Sequence, residues 1–235
     1  MKTIGIIGGI APASTIEYYR SIVALYRAHK PDGGYPPVLI NSIDMTKMLG
    51  LIGAQQLAEV SEYLLGEVVK LARAGAELGL FASNTPHIVF DEIRRRSPIP
   101  LISIVEAACR AAQALGLKKV GLFGTRFTMQ ADFYPRVFSS AGITVIAPAP
   151  DDQTYIHEKY MGELVNGVYR DETRQELLAI ADRLTRAAGI QGLVLGGTEL
   201  PLLLKDLTGQ KIAFLDTTRI HIEEIVAEML SGHAG

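Results

Sequence analysis

The chain has 235 residues, a formal net charge of -2, 48% hydrophobic and 20% charged residues, enough for one large or two small soluble domains. Its only basic cluster, Arg94, Arg95 and Arg96, reads as a solvated helix end, which argues against a nucleic-acid partner. No apolar run has the length of a membrane span, the opening "MKTIGIIGG" breaks at two glycines where a signal peptide would stay apolar, and one cysteine with scattered histidines offers neither a disulfide nor a metal site. The expectation is a cytoplasmic protein without metal or membrane contact.

In chain order, the first β-branched run is "TIGIIGG" (3–9). The helical pattern "STIEYYRSIVALYRAHK" follows, with Ser14 as its expected N-cap. Its Tyr18, Tyr19 and Tyr26 are expected on the surface, where such aromatics mark interfaces. "PVLINS" (37–42) is the second strand. The next helix, "AQQLAEVSEYLLGEVVKLARAGA", carries an apolar stripe of Leu57, Val60, Leu64, Val68 and Leu71. Then come "LGLFAS" (78–83), "PLISI" (100–104), "KVGLFGT" (119–125) and "ITVIAPA" (143–149). A helix "TRQELLAIADRLTRAAG" ends on Gly189 as a C-cap, before "GLVLGG" (192–197) and "IAFLDT" (212–217). The strand runs are continuous rather than alternating, as in strands of a parallel sheet buried on both faces. Strand–helix alternation of this kind means α/β with right-handed crossovers.

The two halves resemble each other. "IGIIGGIAP" (4–12) matches "VGLFGTRFT" (120–128), and "LGLFASNTPHIVFDEI" (78–93) matches "QGLVLGGTELPLLLKDL" (191–207). "PLISIVEAACRAAQAL" (100–115) matches "IAFLDTTRIHIEEIVAEML" (212–230). A single duplication is implied, giving two similar Rossmann-like lobes. The first comprises 1–105 plus 218–235 and the second 106–217.

Ligands of open parallel sheets bind beyond the carboxyl ends of the strands. Here those ends read "GGIAP", "ASNTPH", "GTRFT" and "GGTELP". Two facing lobes would set Ser83 and Gly197 on opposite sides of one cleft. "GIIGGI" lacks both G-x-G-x-x-G and the Walker A ending, so a nucleotide loop is the weaker reading. Thr85, Thr125, Thr128 and Thr198 are natural contacts for a carboxylate or ammonium group, and Asn84 could hold the loop or touch a carboxylate. His87 could activate Ser83 or act as a base, or simply begin a helix. Glu199 could be a general base if burial raised its pKa, or cap the next helix. Arg126 reads as a structural turn residue, and Cys109, beside Ala107 and Ala108, as a small packed hydrophobe.

The opening "MKTIGIIGGIAPASTIEYYRSI", the loop "NTPH", and the later "GTRFTMQADFY" and "GGTELPLLL" together resemble the aspartate/glutamate racemases that work without pyridoxal phosphate. The resemblance runs over nearly the whole chain. It implies a cofactor-free isomerase with a two-base mechanism, in which one thiolate removes the α-proton of an amino acid and a second thiol returns one to the other face. Cysteine suits this because its pKa, about 8.5 unperturbed, is readily lowered. The positions that match the two family cysteines are Ser83 and Gly197, and neither is cysteine here. The two-thiol route is therefore closed to this sequence. A Ser83→Cys, Gly197→Cys double variant is expected to reopen it.

The resemblance further implies substrate contacts at Gly9, Asn84, Thr85, Thr125, Thr128 and Thr198. It places Arg170 where a distal carboxylate would be held, with Lys47 as a second candidate; both also read as ordinary surface cations. The implied partner is a small amino acid or dicarboxylate, and the implied assembly a homodimer. Two alternatives stand beside an amino-acid racemase: a catalytically silent homologue that keeps the pocket, and a lyase or isomerase variant using the same carbanion.

Overall fold

The computed structural model describes residues 1–30, 34–204 and 212–231. Among them the strands are β1 Ile4–Gly8, β2 Val38–Ser42, β3 Leu78–Phe81, β4 Leu101–Ile102, β5 Lys119–Gly124, β6 Thr144–Ile146, β7 Gly192–Gly196 and β8 Ala213–Asp216. The helices are α1 Pro12–His29, α2 Met45–Gly53, α3 Leu57–Arg73, α4 Phe90–Arg96, α5 Ile104–Ala114, α6 Arg126–Gln130, α7 Phe133–Ser140, α8 Pro150–Gly162, α9 Asp171–Ala188, α10 Leu200–Leu203 and α11 Thr217–Ser231. Every β-branched run of the sequence forms a strand. None of the described helices is long and apolar enough to cross a membrane.

The chain divides into two units, Met1–Ser103 with His221–Gly235, and Ile104–Ile220. Each holds one four-stranded parallel sheet. The first has the order β2-β1-β3-β4 and the second β6-β5-β7-β8. Strand for strand, these orders are the same, as the internal duplication requires. The last three residues of the repeat segment 191–207 lie outside the described residues.

In the first unit, β1 and β3 are buried along their whole length, which is why their apolar runs do not alternate. The end of α3 and the turn after it lie so close to β1 that a Cβ on Gly5 would come within 3.1 Å of Leu71 Cδ1 and 2.8 Å of Ala76 Cβ. Val60, Leu64, Val68 and Leu71 of α3 are buried, whereas Leu57, in the helix's first turn, is 39% exposed. From α1, Tyr18, Ile22 and Tyr26 form a second stripe, four residues apart. They pack with Ile222, Ile225, Val226 and Met229 of α11 against Ile4, Ile6 and Leu80.

Two expectations for α1 are corrected. Its N-cap position is Ala11, with Pro12 opening the helix, and the Ser14 hydroxyl instead donates to the carbonyls of Ala11 and Ala82, each at 3.0 Å. Of the three tyrosines expected on the surface only Tyr19 is exposed. The Tyr18 hydroxyl is 2.8 Å from Nδ1 of buried His221, whose Nε2 lies 3.2 Å from the Ile102 carbonyl. The polar tips thus made these core aromatics look like surface residues.

In the second unit, Phe123 of β5 and Leu193 and Leu195 of β7 are covered by Ile156 and Tyr160 of α8 and by Leu177 and Ile180 of α9. α9 ends as its sequence predicts, on Gly189 at φ 66°, the left-handed conformation that glycine adopts most readily. Cys109 of α5 is buried, and burial pushes its thiol pKa up, the opposite of what a nucleophile needs. Arg94, Arg95 and Arg96 close α4 and pair with Asp91, Glu92 and Glu62.

Candidate active site

Each unit carries a cluster of small and polar residues at the carboxyl ends of its two central strands. In the first unit the turn after β1 is forced on glycine: Gly9 has φ +85°, and a Cβ there would meet the Ile43 carbonyl oxygen at 2.5 Å. Its N–H donates to the Thr15 hydroxyl at 2.8 Å. The Ser14 bond to the Ala82 carbonyl then ties the start of α1 to the end of β3. Ser83, Asn84, Thr85 and His87 follow, all buried, the last two in a 3-10 turn Thr85–Val89.

The His87 ring is stacked on Phe90 at 4.6 Å and meets Phe81 edge-on. Its Nδ1 lies 3.2 Å from the Asn84 carbonyl oxygen, which can only accept, so Nδ1 carries the hydrogen. Burial pushes its pKa down to about 3, against bonds to the Asn84 and Ser83 backbone that favour the cation. His87 is therefore neutral across the physiological range.

In the second unit, Thr125 is the N-cap of α6. Its hydroxyl accepts from the Thr128 N–H at 3.2 Å and lies 3.1 Å from the Thr128 hydroxyl. After β7 come Gly197, Thr198 and Glu199. Glu199 occupies the N-cap position of α10 but makes no side-chain cap bond. Instead its Oε2 accepts from the Thr198 hydroxyl at 2.9 Å and from the phenol of Tyr160 in a short hydrogen bond. The carboxyl group is 1% exposed, an expensive place for a charge unless hydroxyl donors hold it. Tyr160 is held well above the usual tyrosine pKa by burial, by the Glu199 charge and by donating to it.

Two predicted residues stand outside these clusters. Lys47, in the first turn of α2, lies over the Tyr63 ring at 4.3 Å. Arg170 is the N-cap residue of α9, largely exposed, with Nε 3.7 Å from Glu163 Oε1. Tyr160 is the residue that sequence reasoning missed. Its only trace in the sequence is indirect: the glycine at 197, where a side chain was expected, leaves a space that something must fill. Among the described residues no three His, Cys, Asp or Glu side chains gather as a metal site.

Comparison with known proteins gives concordant matches. The family model described as Asp/Glu/Hydantoin racemase matches residues 7–225. A crystal structure from Yersinia pestis, described as a candidate Asp/Glu racemase, is 31% identical, covers 98% of this chain and all of its own, and superposes with a TM-score of 0.88. An aspartate racemase homologue from Pyrococcus horikoshii is 32% identical, with 97% and 99% coverage and a TM-score of 0.83. The broad specificity amino-acid racemase RacX of Bacillus subtilis is 27% identical over 61% of this chain, and the match spans 63% of that relative's length.

Proposed function

The chain belongs to the Asp/Glu/Hydantoin racemase family, and from that premise we propose that it performs α-proton chemistry on a small amino acid or dicarboxylate. The observation that carries this reading is Glu199. A carboxyl group this deeply buried, bonded to two hydroxyls and left out of helix capping, has no evident role in holding α10. It stands two residues from Gly197, the position that matches the family's second cysteine. Buried carboxyl groups with specific polar partners are the ordinary means of poising an acid or base.

In this reading Glu199 is the proton acceptor. Thr125, Thr128 and Thr198, in the same unit as Glu199, supply hydroxyl contacts for the substrate's carboxylate and ammonium groups. No thiol takes part, and the substrate is named only by class.

The test is α-proton exchange. The full chain is incubated in heavy water with the D and L forms of aspartate, glutamate and a wider amino-acid panel, and the α-proton signal is followed by NMR. Loss of that signal for at least one amino acid is the expected result. Measurable binding without exchange on any of them would instead identify a silent binding homologue and overturn the proposal.

A further inference from the structure

The space beside Gly197 is occupied by another element's side chain. Gly197 is not left-handed, so backbone conformation does not demand a glycine there. A Cβ built on it would lie 2.9 Å from Cζ and 3.0 Å from the hydroxyl oxygen of Tyr160, and closer still to Cε2. A side chain at 197 and the Tyr160 ring therefore exclude each other. The phenolic oxygen sits beside the point where a side chain at 197 would leave the backbone.

Tyr160 is well placed for more than filling. Its ring belongs to a core cluster with Ile156, Leu164 and Leu200, so its position is fixed. Its hydroxyl is already bonded to Glu199 Oε2, the oxygen that also takes the Thr198 hydroxyl.

We propose that Tyr160 relays the α-proton between the substrate and Glu199, so that the Gly197–Tyr160 pair replaces the single side chain that family relatives would carry at 197. The inference rests on the α-proton chemistry proposed above. In the forward step the substrate Cα–H bond breaks and its proton passes to the phenolic oxygen of Tyr160. The proton that Tyr160 held passes at the same time to Glu199 Oε2. The electron pair of the C–H bond stays on the substrate, delocalised into its α-carboxyl group. Glu199 goes from carboxylate to carboxylic acid, while Tyr160 is a phenol before and after. The reverse step restores both. Moving the two protons together avoids a free phenolate, which burial and the neighbouring carboxylate disfavour.

The relay is tested by α-proton exchange in heavy water with D- and L-aspartate and D- and L-glutamate as probes, comparing the natural chain with Tyr160→Phe, Glu199→Gln and the double variant. Phenylalanine keeps the ring beside Gly197 but removes one of the two hydroxyls that hold the buried Glu199 carboxyl group, so the variant should stay folded with a thermal midpoint lowered by several degrees. Each single variant should lower kcat for exchange by about 10³-fold, with KM changed less than about threefold. The double variant should be no slower than the worse single one, because the two residues act as one unit. Exchange by Tyr160→Phe within about threefold of the natural rate would overturn the relay and leave the proposed function standing. Losses that multiply in the double variant would also overturn it. Absence of exchange in the natural chain with these four probes and with every member of the wider amino-acid panel would overturn the relay and the reading beneath it together; where another member exchanges, the variants are compared on that amino acid.

Discussion

Ser83 offers a hydroxyl where the family resemblance places a thiol, and a hydroxyl surrenders its proton only to a neighbouring base. Gly197 differs in kind, because its space is already taken. The sequence suggested that cysteine at both positions would restore a two-thiol site, but Gly197→Cys alone forces its Cβ into the Tyr160 ring. Overpacking of this sort costs about 1–3 kcal/mol. Gly197→Cys should therefore lower stability by that amount in the natural chain, and by much less in a Tyr160→Ala background. Chemical denaturation of the four chains of this double-mutant cycle measures the difference, and equal costs in both backgrounds would show that the ring is not the obstacle. His87 gives a second residue-scale prediction. Its pKa is about 3 in the folded protein against 6.5 for an ordinary histidine, so the unfolded chain binds the proton first as pH falls. Its contribution to stability is complete above pH 6.5 and is lost progressively between there and pH 3, the loss reaching on the order of 5 kcal/mol. In a His87→Phe variant, which keeps a ring against Phe90, that part of the acid dependence should disappear. The loops holding these residues were legible because strand ends in a parallel sheet are marked by Gly, Ser and Thr. Tyr160 was not, because nothing in the local sequence of α8 tells that its ring ends against a glycine just past a strand distant in sequence.

The strands were read from continuous apolar runs, and the runs sufficed because both faces of β1, β3, β5 and β7 are covered. The bodies of α1, α3 and α9 were legible too, α3 from its apolar spacing, whereas short helices such as α2, α6 and α7 carry too few turns to show a stripe. Helix starts were not: Ser14 has the right chemistry for a cap, yet Pro12 begins α1 earlier and the serine is used to tie two loops. The α3 stripe shows where periodicity stops being informative. Leu57 and Leu64 lie on the same stripe, but Leu57 is the first residue of the helix and 39% exposed, whereas Leu64 is fully buried. Leu64→Ala should cost about 2–5 kcal/mol, the range for truncating a core leucine, whereas Leu57→Ala should stay below about 1 kcal/mol. Urea midpoints of the two variants decide this, and similar losses would mean that Leu57 is covered in solution. Gly189→Ala is the matching test at a helix end. The left-handed conformation at 66° should cost an alanine about 1–2 kcal/mol without altering the rest of α9.

For the molecule as a whole, the duplication gives two like folds but unlike chemical equipment. A reaction that inverts an amino acid needs a group able to exchange a proton on each face of the α-carbon. Here the loop after β7 has Glu199, with Tyr160 beside it. The loop after β3 has Ser83 and a histidine that stays neutral and binds protons weakly, with its Nδ1 hydrogen committed to the Asn84 carbonyl. A chain equipped in this way should return the α-proton mainly to the face from which it came. Deuterium should then enter one enantiomer with retention, at least about tenfold faster than that enantiomer inverts, which corresponds to a barrier difference of about 1.4 kcal/mol. The two rates are measured on the same sample, exchange by NMR and inversion by chiral chromatography. Equal rates of exchange and inversion would mean that a second group returns the proton to the opposite face as efficiently as the Tyr160–Glu199 pair does, and would overturn the one-sided reading.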